Sequence, residues 1–365
     1  MIYRAIGIMS GSSLDGLDIV FAEFQEQAGQ WSYTIRESAC YQYDEAWKER
    51  LRDAVALPAA GYLLLHTAYG RYIGEKINQF IEEKSLHYQV GLISSHGHTT
   101  FHMPARGMTA QLGDGAAIAA VTGLPVVTDL RALDVALGGQ GAPIVPVGEK
   151  RLLAGYDYFL NIGGITNISV NADPYTAFDI CPANRVLNML AREAGKEYDE
   201  GGKLAASGQP DSALLEKLNQ LDYYRQPPPK SLANDFGTET VYPLIRTAGL
   251  TTADALRTCC EHISFQTAAA IKTFCHSAPG ISNARLLCTG GGARNTFLVR
   301  LLAQKLNEPG IELVLPEPEL IDYKEALVMA FIGVLRWRQE YNVLASVTGA
   351  SRNSIGGALW TGQDA

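Results

Sequence analysis

Apolar and polar residues alternate along the chain in short blocks that predict strands and helices in turn. Near the amino terminus, a small-residue loop separates the apolar runs Ala5 to Met9 and Ile19 to Phe24, which predicts a β-hairpin. A third strand is predicted from Trp31 to Cys40. The stretches 44–55 and 62–84 repeat apolar residues at helical spacing. The opening part of the chain therefore combines strands with helices.

The same alternation continues toward the carboxyl terminus. Short apolar runs predict strands at 90–94, 124–128, 156–161, 166–170, 176–179, 285–288 and 313–315. Helical spacing predicts helices at 113–122, from 184, at 252–275, from 295 and at 324–338. The strand at 90–94 is expected to end in a polar loop, SSHGHTTFH.

Length and a glycine-rich stretch divide the chain into two domains. A chain of 365 residues is too long for one ordinary core. The stretch Gly138 to Pro146 precedes a fresh strand, so we predict domains at 1–146 and 147–365. A strand–turn–strand pattern occurs near Gly11 and again near Gly163. The predicted fold class is therefore α/β with two similar lobes.

Composition narrows the classes of function. The formal net charge of -8 argues against nucleic acid or an anionic membrane as a general partner. No apolar run approaches the length of about 18–20 residues that spans a bilayer, and the opening MIYRAIGIMS lacks a signal-peptide pattern. The six cysteines show no CxxC spacing. We therefore expect a cytoplasmic protein without a membrane partner.

The loop of the first hairpin has the composition of a phosphate-binding turn. Its amides and hydroxyls can donate to phosphate oxygens from Gly11, Ser12, Ser13 and Gly16. The carboxylates of Asp15 and Asp18 can hold Mg²⁺ through its waters. Because the chain has no GxxxxGK[ST] motif, this loop would work without a Walker lysine. An ordinary Gly/Ser turn explains the same residues equally well.

Two further glycine clusters follow strands. The second hairpin carries Gly163, Gly164 and Thr166, and a later strand leads through Gly290, Gly291 and Gly292 to a helix start at Asn295. Glycines between a strand and a helix amino terminus suit a phosphate or nucleotide. Each cluster alone is more readily explained as a close-packed turn. Three in this order favour a nucleotide site.

One aspartate is a candidate for acid–base chemistry. Asp179 lies at the end of a predicted strand, and a carboxylate leaving a strand beside a nucleotide can act as a general base. Locally, a helix cap or turn explains it better, because aspartate is common there. The three glycine loops favour the catalytic interpretation.

Polar side chains elsewhere are candidates for substrate contacts. His96, His98 and His102 cluster in one segment, and a sugar-contacting role suits them better than zinc because no Cys or carboxylate stands at metal spacing nearby. Arg131 can clamp a carboxylate, or it can pair internally with Asp129 or Asp134. Glu325 begins a helix and can face a ligand or favour the helix dipole.

In order along the chain, these segments closely resemble the anhydro-N-acetylmuramic acid kinases. The resemblance extends to about Ser351 and is carried by IGIMSGSSLDGLD, SSHGHTTFHMP, QLGDGAAIA, TGLPVVTDLRALDVALGGQGAP, NIGGITNIS, FDICPAN, YDEGGKLAASG, PPPKSLANDFG, CTGGGARN, KEALVMAF and VTGAS. It implies the two-lobed actin-like ATPase (ribonuclease H-like) fold with a central nucleotide cleft. It also implies a reaction of peptidoglycan recycling, in which ATP and water convert 1,6-anhydro-N-acetylmuramic acid to N-acetylmuramic acid 6-phosphate and ADP.

The resemblance also implies roles for individual residues. Asp179 is the expected general base, and ATP with Mg²⁺ is the expected cofactor. The expected nucleotide contacts are the stretch Gly11 to Asp18, Leu14 and Leu17 included, together with Gly163, Gly164, Thr166, Gly290, Gly291, Gly292 and Asn295. The expected contacts to the anhydro amino sugar are His98, Arg131, Asn184 and Glu325. Long helices such as Thr252 to Cys275 are compatible with a homodimer.

The sequence departs from the family pattern at three places. Ile180-Cys181-Pro182-Ala183 replaces a loop rich in Thr and Gly, Ser12 replaces the commoner Thr, and Leu232 to Asp235 replaces a Thr-Gly-Arg-Glu stretch. The first and third changes lie where donors to phosphate or sugar are expected. Two alternatives therefore stand beside the leading interpretation. One is an actin-fold kinase of another anhydro or amino sugar, and the other is a non-catalytic nucleotide-dependent sensor.

Overall fold

The computed structural model describes residues 1–11, 14–228, 230–233, 235–275 and 284–362. Its strands are β1 Ile2–Ser10, β2 Gly16–Gln27, β3 Gln30–Gln42, β4 Leu92–Met103, β5 Met108–Leu112, β6 Val126–Thr128, β7 Tyr158–Ile162, β8 Ile165–Val170, β9 Thr176–Pro182, β10 Ala284–Thr289, β11 Ile311–Val314 and β12 Ala358–Trp360. Its helices are α1 Glu45–Arg52, α2 Ala59–Glu83, α3 Gly115–Thr122, α4 Ala132–Ala136, α5 Pro146–Leu152, α6 Asn184–Glu193, α7 Lys203–Ser207, α8 Ser212–Asn219, α9 Tyr242–Thr247, α10 Thr252–Cys275, α11 Thr296–Asn307, α12 Pro318–Trp337 and α13 Ala345–Thr348.

Contacts divide the chain into two units at different positions from the predicted domains. The first unit comprises Met1–Ala154 and Tyr323–Ala365, and the second comprises Gly155–Asp322. The prediction that all of 147–365 forms the second domain is therefore corrected. Most of α12 packs on the first sheet, where a Cβ on Gly7 would lie 1.9 Å from the Ala326 carbonyl oxygen. Strand β12 then pairs with β6 of the same sheet.

The two units repeat one strand topology. Within the described residues, the first sheet has the order β12-β6-β4-β1-β2-β3, with β5 paired to β4, and the second has the order β11-β10-β7-β8-β9. In each, three antiparallel strands come first. A later strand, β4 or β10, joins parallel to the first of them, and β6 or β11 joins parallel to that strand. The α/β class with two actin-like lobes is confirmed by this duplicated topology.

Most predicted elements are present, but one polar loop is a strand. Strand β4 continues to Met103, because its second half pairs antiparallel with β5. The predicted loop SSHGHTTFH therefore belongs to the sheet. Polar residues can occupy β4 because pairing satisfies its backbone, whatever the hydropathy of the side chains. The strand β5 was not predicted.

Each unit has its own apolar core beneath a long helix. In the first unit, α2 buries one face against the sheet with Tyr69, Ile73, Ile77 and Phe80. In the second, α10 buries Leu256, Cys260, Ile263 and Ile271. No helix within the described ranges is both long enough and apolar enough to cross a membrane.

Candidate active site

The first glycine loop joins β1 to β2 in the first unit. The Leu14 amide donates to the Gly11 carbonyl at 3.3 Å, and Leu14 has a φ of 60°. Asp15 is exposed in the loop. Ser12 and Ser13 lie outside the described residues, so their predicted phosphate contacts stay predictions. The described part of this loop presents a backbone turn and one exposed carboxylate.

The predicted loop residues that follow lie in strand β2. A Cβ on Gly16 would lie 2.7 Å from Cys40 Sγ and 2.8 Å from the Tyr41 carbonyl oxygen, so close packing on β3 requires glycine there. The Leu17 side chain is fully buried, which leaves only its backbone for a ligand. Asp18 is half-buried opposite Met9 and Cys40.

A row of three buried hydroxyl groups leads to His98. Ser10 Oγ lies 3.1 Å from His98 Nδ1, and the Tyr43 hydroxyl donates to Ser10 Oγ at 2.9 Å. The hydroxyls of Tyr43 and Tyr69 are 2.5 Å apart. Burial lowers the pKa of His98, so its ring is neutral at physiological pH. Only His98 among these four was predicted, because the others come from separate parts of the chain.

Arg131 is held by two contacts within the first unit. Its Nε donates to His96 Nε2 at 2.7 Å, and its Nη1 donates to the Gly141 carbonyl at 2.7 Å. Burial lowers the pKa of Arg131 to about 10, and the Glu325 carboxylate acts in the opposite direction. Burial and the Arg131 charge lower the pKa of His96 to about 3. Arg131 is therefore a cation beside a neutral histidine, and Nη2 has no hydrogen-bond partner among the described residues.

The loop that presents Gly141 is anchored by a buried aspartate. Asp134 is fully buried and accepts from the Gly141 amide at 2.8 Å and from the Thr348 hydroxyl at 2.7 Å. Neither Asp129 nor Asp134 forms an ion pair with Arg131 in the part of the chain that the structure describes. The internal ion pair, one of the two interpretations of Arg131, is therefore not what holds this side chain.

In the second unit, Asn184 locks the turn between β7 and β8. The Ala183 and Asn184 amides donate to the carbonyls of Gly164 and Gly163, and Asn184 Nδ2 donates to the Ile162 carbonyl at 3.1 Å. These groups are retained although the family's Thr and Gly residues are replaced in this segment. The segment therefore supports the glycine turn through its backbone and through Asn184.

The third glycine loop packs directly on that turn. Gly290 has a φ of 82°, and a Cβ there would lie 2.6 Å from Asn161 Oδ1. A Cβ on Gly292 would lie 2.2 Å from Ile162 Cγ2, whereas one on Gly291 would meet nothing closer than Asn184 Nδ2 at 3.6 Å. Two glycines are thus required by packing. The loops predicted at 163–164 and 290–292 do lie together in the second unit.

Two residues that were predicted to contact the nucleotide have different surroundings in the structure. Thr166 is fully buried and lies beside Cys181, so its hydroxyl points into the unit, contrary to the predicted phosphate contact. Its position in the sheet, on the same face as the core residue Ile168, explains why. Asn295 Oδ1 accepts from the Leu298 amide at 3.0 Å and caps α11, an arrangement that commits this oxygen to the helix.

Asp179 is held by one segment, Tyr223 to Leu232. Its Oδ2 accepts from the Leu232 amide at 2.9 Å and from Ser231 Oγ at 3.3 Å. Its amide donates to the Lys230 carbonyl, and its own carbonyl accepts from the Tyr223 hydroxyl at 2.6 Å. Among the described residues, only Oδ1 of this side chain has no partner. The sequence predicts Asp179 at the end of a strand, whereas the structure places it within β9.

Burial raises the pKa of Asp179, and the hydrogen bonds from Leu232 and Ser231 act against that rise. The result is a carboxylate that is more basic than an exposed aspartate. The Leu232 amide is a backbone donor, so the replacement of the family's usual residue at this position leaves the hydrogen bond in place. Sequence reasoning missed this support, because a backbone donor carries no side-chain signal.

The residues present fit a nucleotide and a magnesium ion on chemical grounds. The carboxylates at Asp15 and Asp18 are ligands of the type that Mg²⁺ prefers, and one or two are usual because the ion keeps several waters. Among the described residues, no three His, Cys, Asp or Glu side chains form a ready metal cluster. The glycine turns at 163–164 and 290–292 leave backbone close to any ligand at that edge.

Topology and sequence comparisons together define the class. The duplicated sheet, with a glycine turn between the first two strands of each unit, is that of the actin-like ATPase fold. The family model described as anhydro-N-acetylmuramic acid kinase matches residues 3–362. The anhydro-N-acetylmuramic acid kinases of Synechococcus elongatus and Methylobacterium nodulans are each 33% identical to this chain. The alignments cover 98% of this chain and 99% of the first relative, and 97% and 98% for the second.

A solved structure is similar at a lower level. The activator of the 2-hydroxyisocaproyl-CoA dehydratase from Clostridium difficile, with bound ADPNP, is 12% identical with a TM-score of 0.45. The match covers 92% of this chain and 97% of that one.

On the sequence matches, the chain belongs to the anhydro-N-acetylmuramic acid kinase family, and it is a kinase.

Proposed function

We propose that this kinase opens the 1,6-anhydro ring of 1,6-anhydro-N-acetylmuramic acid with water and phosphorylates O6 at the expense of ATP. The products are N-acetylmuramic acid 6-phosphate and ADP. Family membership supports the reaction, and the geometry of Asp179 is the observation in this structure that carries it. Its carboxylate is half-buried, raised in pKa and open at one oxygen.

Asp179 serves as the general base in this proposal. Its Oδ1 accepts one proton of a water molecule while the water oxygen bonds to the anomeric carbon of the sugar. The bond between C1 and O6 breaks, and O6 bonds to the terminal phosphorus of ATP as the bond to ADP breaks. The hydrogen bonds on Oδ2 hold the carboxylate in one orientation, so that the second oxygen is directed at the water.

Phosphate contacts are proposed within each unit separately, for backbone and carboxylate groups. The first unit supplies the loop from Gly11 to Asp18, and the second supplies the turns at 163–164 and 290–292. Bound Mg²⁺ would neutralise charge on the transferred phosphoryl group. Asp15 and Asp18 are the residues proposed to hold it. Thr166 and Asn295 contribute only through their backbone or through the elements they stabilise.

Sugar contacts are proposed for polar side chains of the first unit and, separately, for Asn184 in the second. Arg131 Nη2 is the proposed partner of the lactyl carboxylate that distinguishes muramyl sugars, since a guanidinium pairs well with a carboxylate. His98 and Glu325 are the other proposed contacts. A cytoplasmic location, a homodimer and the absence of nucleic-acid partners stay predictions of the sequence.

The test is an ADP-release assay with purified protein, Mg-ATP and one of three additions. Release should require 1,6-anhydro-N-acetylmuramic acid and should be absent with buffer alone. Fast release with levoglucosan and none with the muramyl sugar would move the substrate to an anhydro sugar without a lactyl group. No release with any sugar, but tight ATP binding, would favour the sensor instead.

A further inference from the structure

A run of buried hydroxyl groups leads from helix α2 to His98. The side chains of Tyr69, Tyr43, Ser10 and His98 are all at least nine-tenths buried. The spacings along the run are 2.5 Å, 2.9 Å and 3.1 Å, each within hydrogen-bonding distance. The first three residues have no part in the proposed mechanism. They come from α2, from the segment before α1 and from the end of β1.

The directions of the hydrogen bonds in this run bear on which nitrogen of His98 carries the proton. Tyr43 donates its proton to Ser10 Oγ, so Tyr69 must supply the proton between the two tyrosines. Burial raises the pKa of both tyrosines, to about 12 for Tyr69, and both keep their protons. Ser10 Oγ accepts from Tyr43, and its own proton can be donated to His98 Nδ1, which lies 3.1 Å away. A neutral ring that accepts at Nδ1 carries its proton at Nε2.

The position of the His98 ring indicates which ligand atoms its Nε2–H group can contact. Ser10 immediately precedes Gly11, and the register of the parallel strands places Ser10 opposite His98. The carboxyl end of β1 is where ligands bind in parallel α/β sheets. A neutral Nε2–H group there can only donate. It therefore suits an oxygen that can only accept, such as a phosphate oxygen or the ether oxygen of an anhydro bridge.

We propose that Tyr69, Tyr43 and Ser10 are positioning residues that hold His98 as a neutral Nε2–H donor for an unprotonated oxygen of the bound substrates. The proposal rests on the proposed function only for the identity of those substrates. The tautomer itself is a property of the substrate-free protein. The two parts can therefore be tested separately.

The first experiment measures the tautomer directly. Full-length protein is labelled with ¹⁵N-histidine, and the His98 resonances are assigned among the seven histidines with the variant His98→Gln. The wild type should show an unprotonated Nδ1 and a protonated Nε2 without any substrate. The variants Tyr43→Phe and Ser10→Ala should each shift population toward the other tautomer. A proton on Nδ1 in the wild type, or an unchanged tautomer in Ser10→Ala, would overturn the proposal.

Tyr72→Phe is the matched control. The Tyr72 ring belongs to the same aromatic cluster, stacked on Tyr69 at 6.0 Å, but its hydroxyl has no hydrogen bond within the described residues. This variant should leave the His98 resonances unchanged. Equal shifts in Tyr72→Phe and Tyr43→Phe would show that ring packing, and not the hydroxyl run, sets the tautomer.

The second experiment measures which substrate supplies the oxygen. In Tyr43→Phe, kcat/KM should fall about three- to tenfold, the size expected for one neutral hydrogen bond. If only kcat/KM for ATP falls, His98 donates to a phosphate oxygen. If only kcat/KM for the sugar falls, it donates to a sugar oxygen. Wild-type kinetics in a variant whose tautomer has shifted would overturn the role in substrate binding. If no substrate supports turnover, the proposed reaction fails while the NMR result stands.

Discussion

The two units share one topology but stabilise their polar residues in different ways. In the first unit, side chains from distant parts of the sequence hold one another, as Thr348 holds Asp134 and as Ser10 contacts His98. Around Asp179 and the glycine turns of the second unit, backbone groups do much of this work, as the Leu232 amide does for Asp179. Glycines there allow the loops at 163–164 and 290–292 to pack together.

This difference separates two ways of building a site on one fold. A site built on backbone tolerates changes of side chain, which is why the second unit keeps its hydrogen bonds although its sequence departs from the family pattern near Asp179. A site built from hydrogen-bonded side chains depends on each of them, because a buried polar group that loses its partner lowers the stability of the fold. Substitutions in the two units should therefore have different consequences.

The largest effect is expected at the proposed base. Asp179→Asn keeps the shape of the side chain but removes the carboxylate that takes the proton, so kcat should fall about a hundred- to ten-thousandfold. ATP affinity, measured by calorimetry, should be unchanged. Asp222→Asn, at an exposed carboxylate in the same unit, is the control and should keep full activity. A kcat within a fewfold of wild type for Asp179→Asn would exclude the base assignment.

A second effect is expected where glycine packing builds the second unit. Gly292→Ala places a Cβ 2.2 Å from Ile162 Cγ2 and should destabilise the unit by about 1–3 kcal/mol, with weaker ATP binding. Gly291→Ala has room for its Cβ and should be near neutral. Urea unfolding and nucleotide titration compare the two. Equal behaviour of these neighbours would contradict the packing argument.

A smaller effect is expected in the side-chain network of the first unit. Thr348→Val removes the hydroxyl that donates to the fully buried Asp134, so stability should fall by at least about 1 kcal/mol. Thr348→Ser keeps the hydroxyl and should recover most of the loss. Denaturant midpoints report stability, and the sugar KM reports whether the loop that contacts Arg131 has shifted. If Val and Ser behave alike, the hydroxyl is not what anchors this loop.

The smallest effect is expected at Ser231. Its hydroxyl lowers the pKa of Asp179, so Ser231→Ala should raise that pKa further. The base must be ionised to act, so the acidic limb of the kcat profile should move to higher pH, by less than about one unit. Ser212→Ala, at an exposed serine in the same unit, should leave the profile unchanged. A shift to lower pH would contradict the sign of this interaction.

The sequence predicts features that are local in the chain better than those that join distant segments. The two hairpins and the glycine turns were predictable because strand patterns and glycines are read within a few residues. The contact between Ser10 and His98 spans 88 positions, and that between Asp134 and Thr348 spans 214. No local pattern reports such pairs. The return of α12 to the first unit was missed for the same reason, since its partner Gly7 lies at the other end of the chain.

The most direct test of the central claim is a turnover in water labelled with ¹⁸O. Wild-type protein is given Mg-ATP and 1,6-anhydro-N-acetylmuramic acid, and the products are analysed by mass spectrometry. A control with unlabelled product corrects for exchange at C1. The account predicts one ¹⁸O at C1 of the sugar phosphate, none in its phosphoryl group, and ADP in equal amount. Label in inorganic phosphate, with the anhydro ring intact, would contradict it.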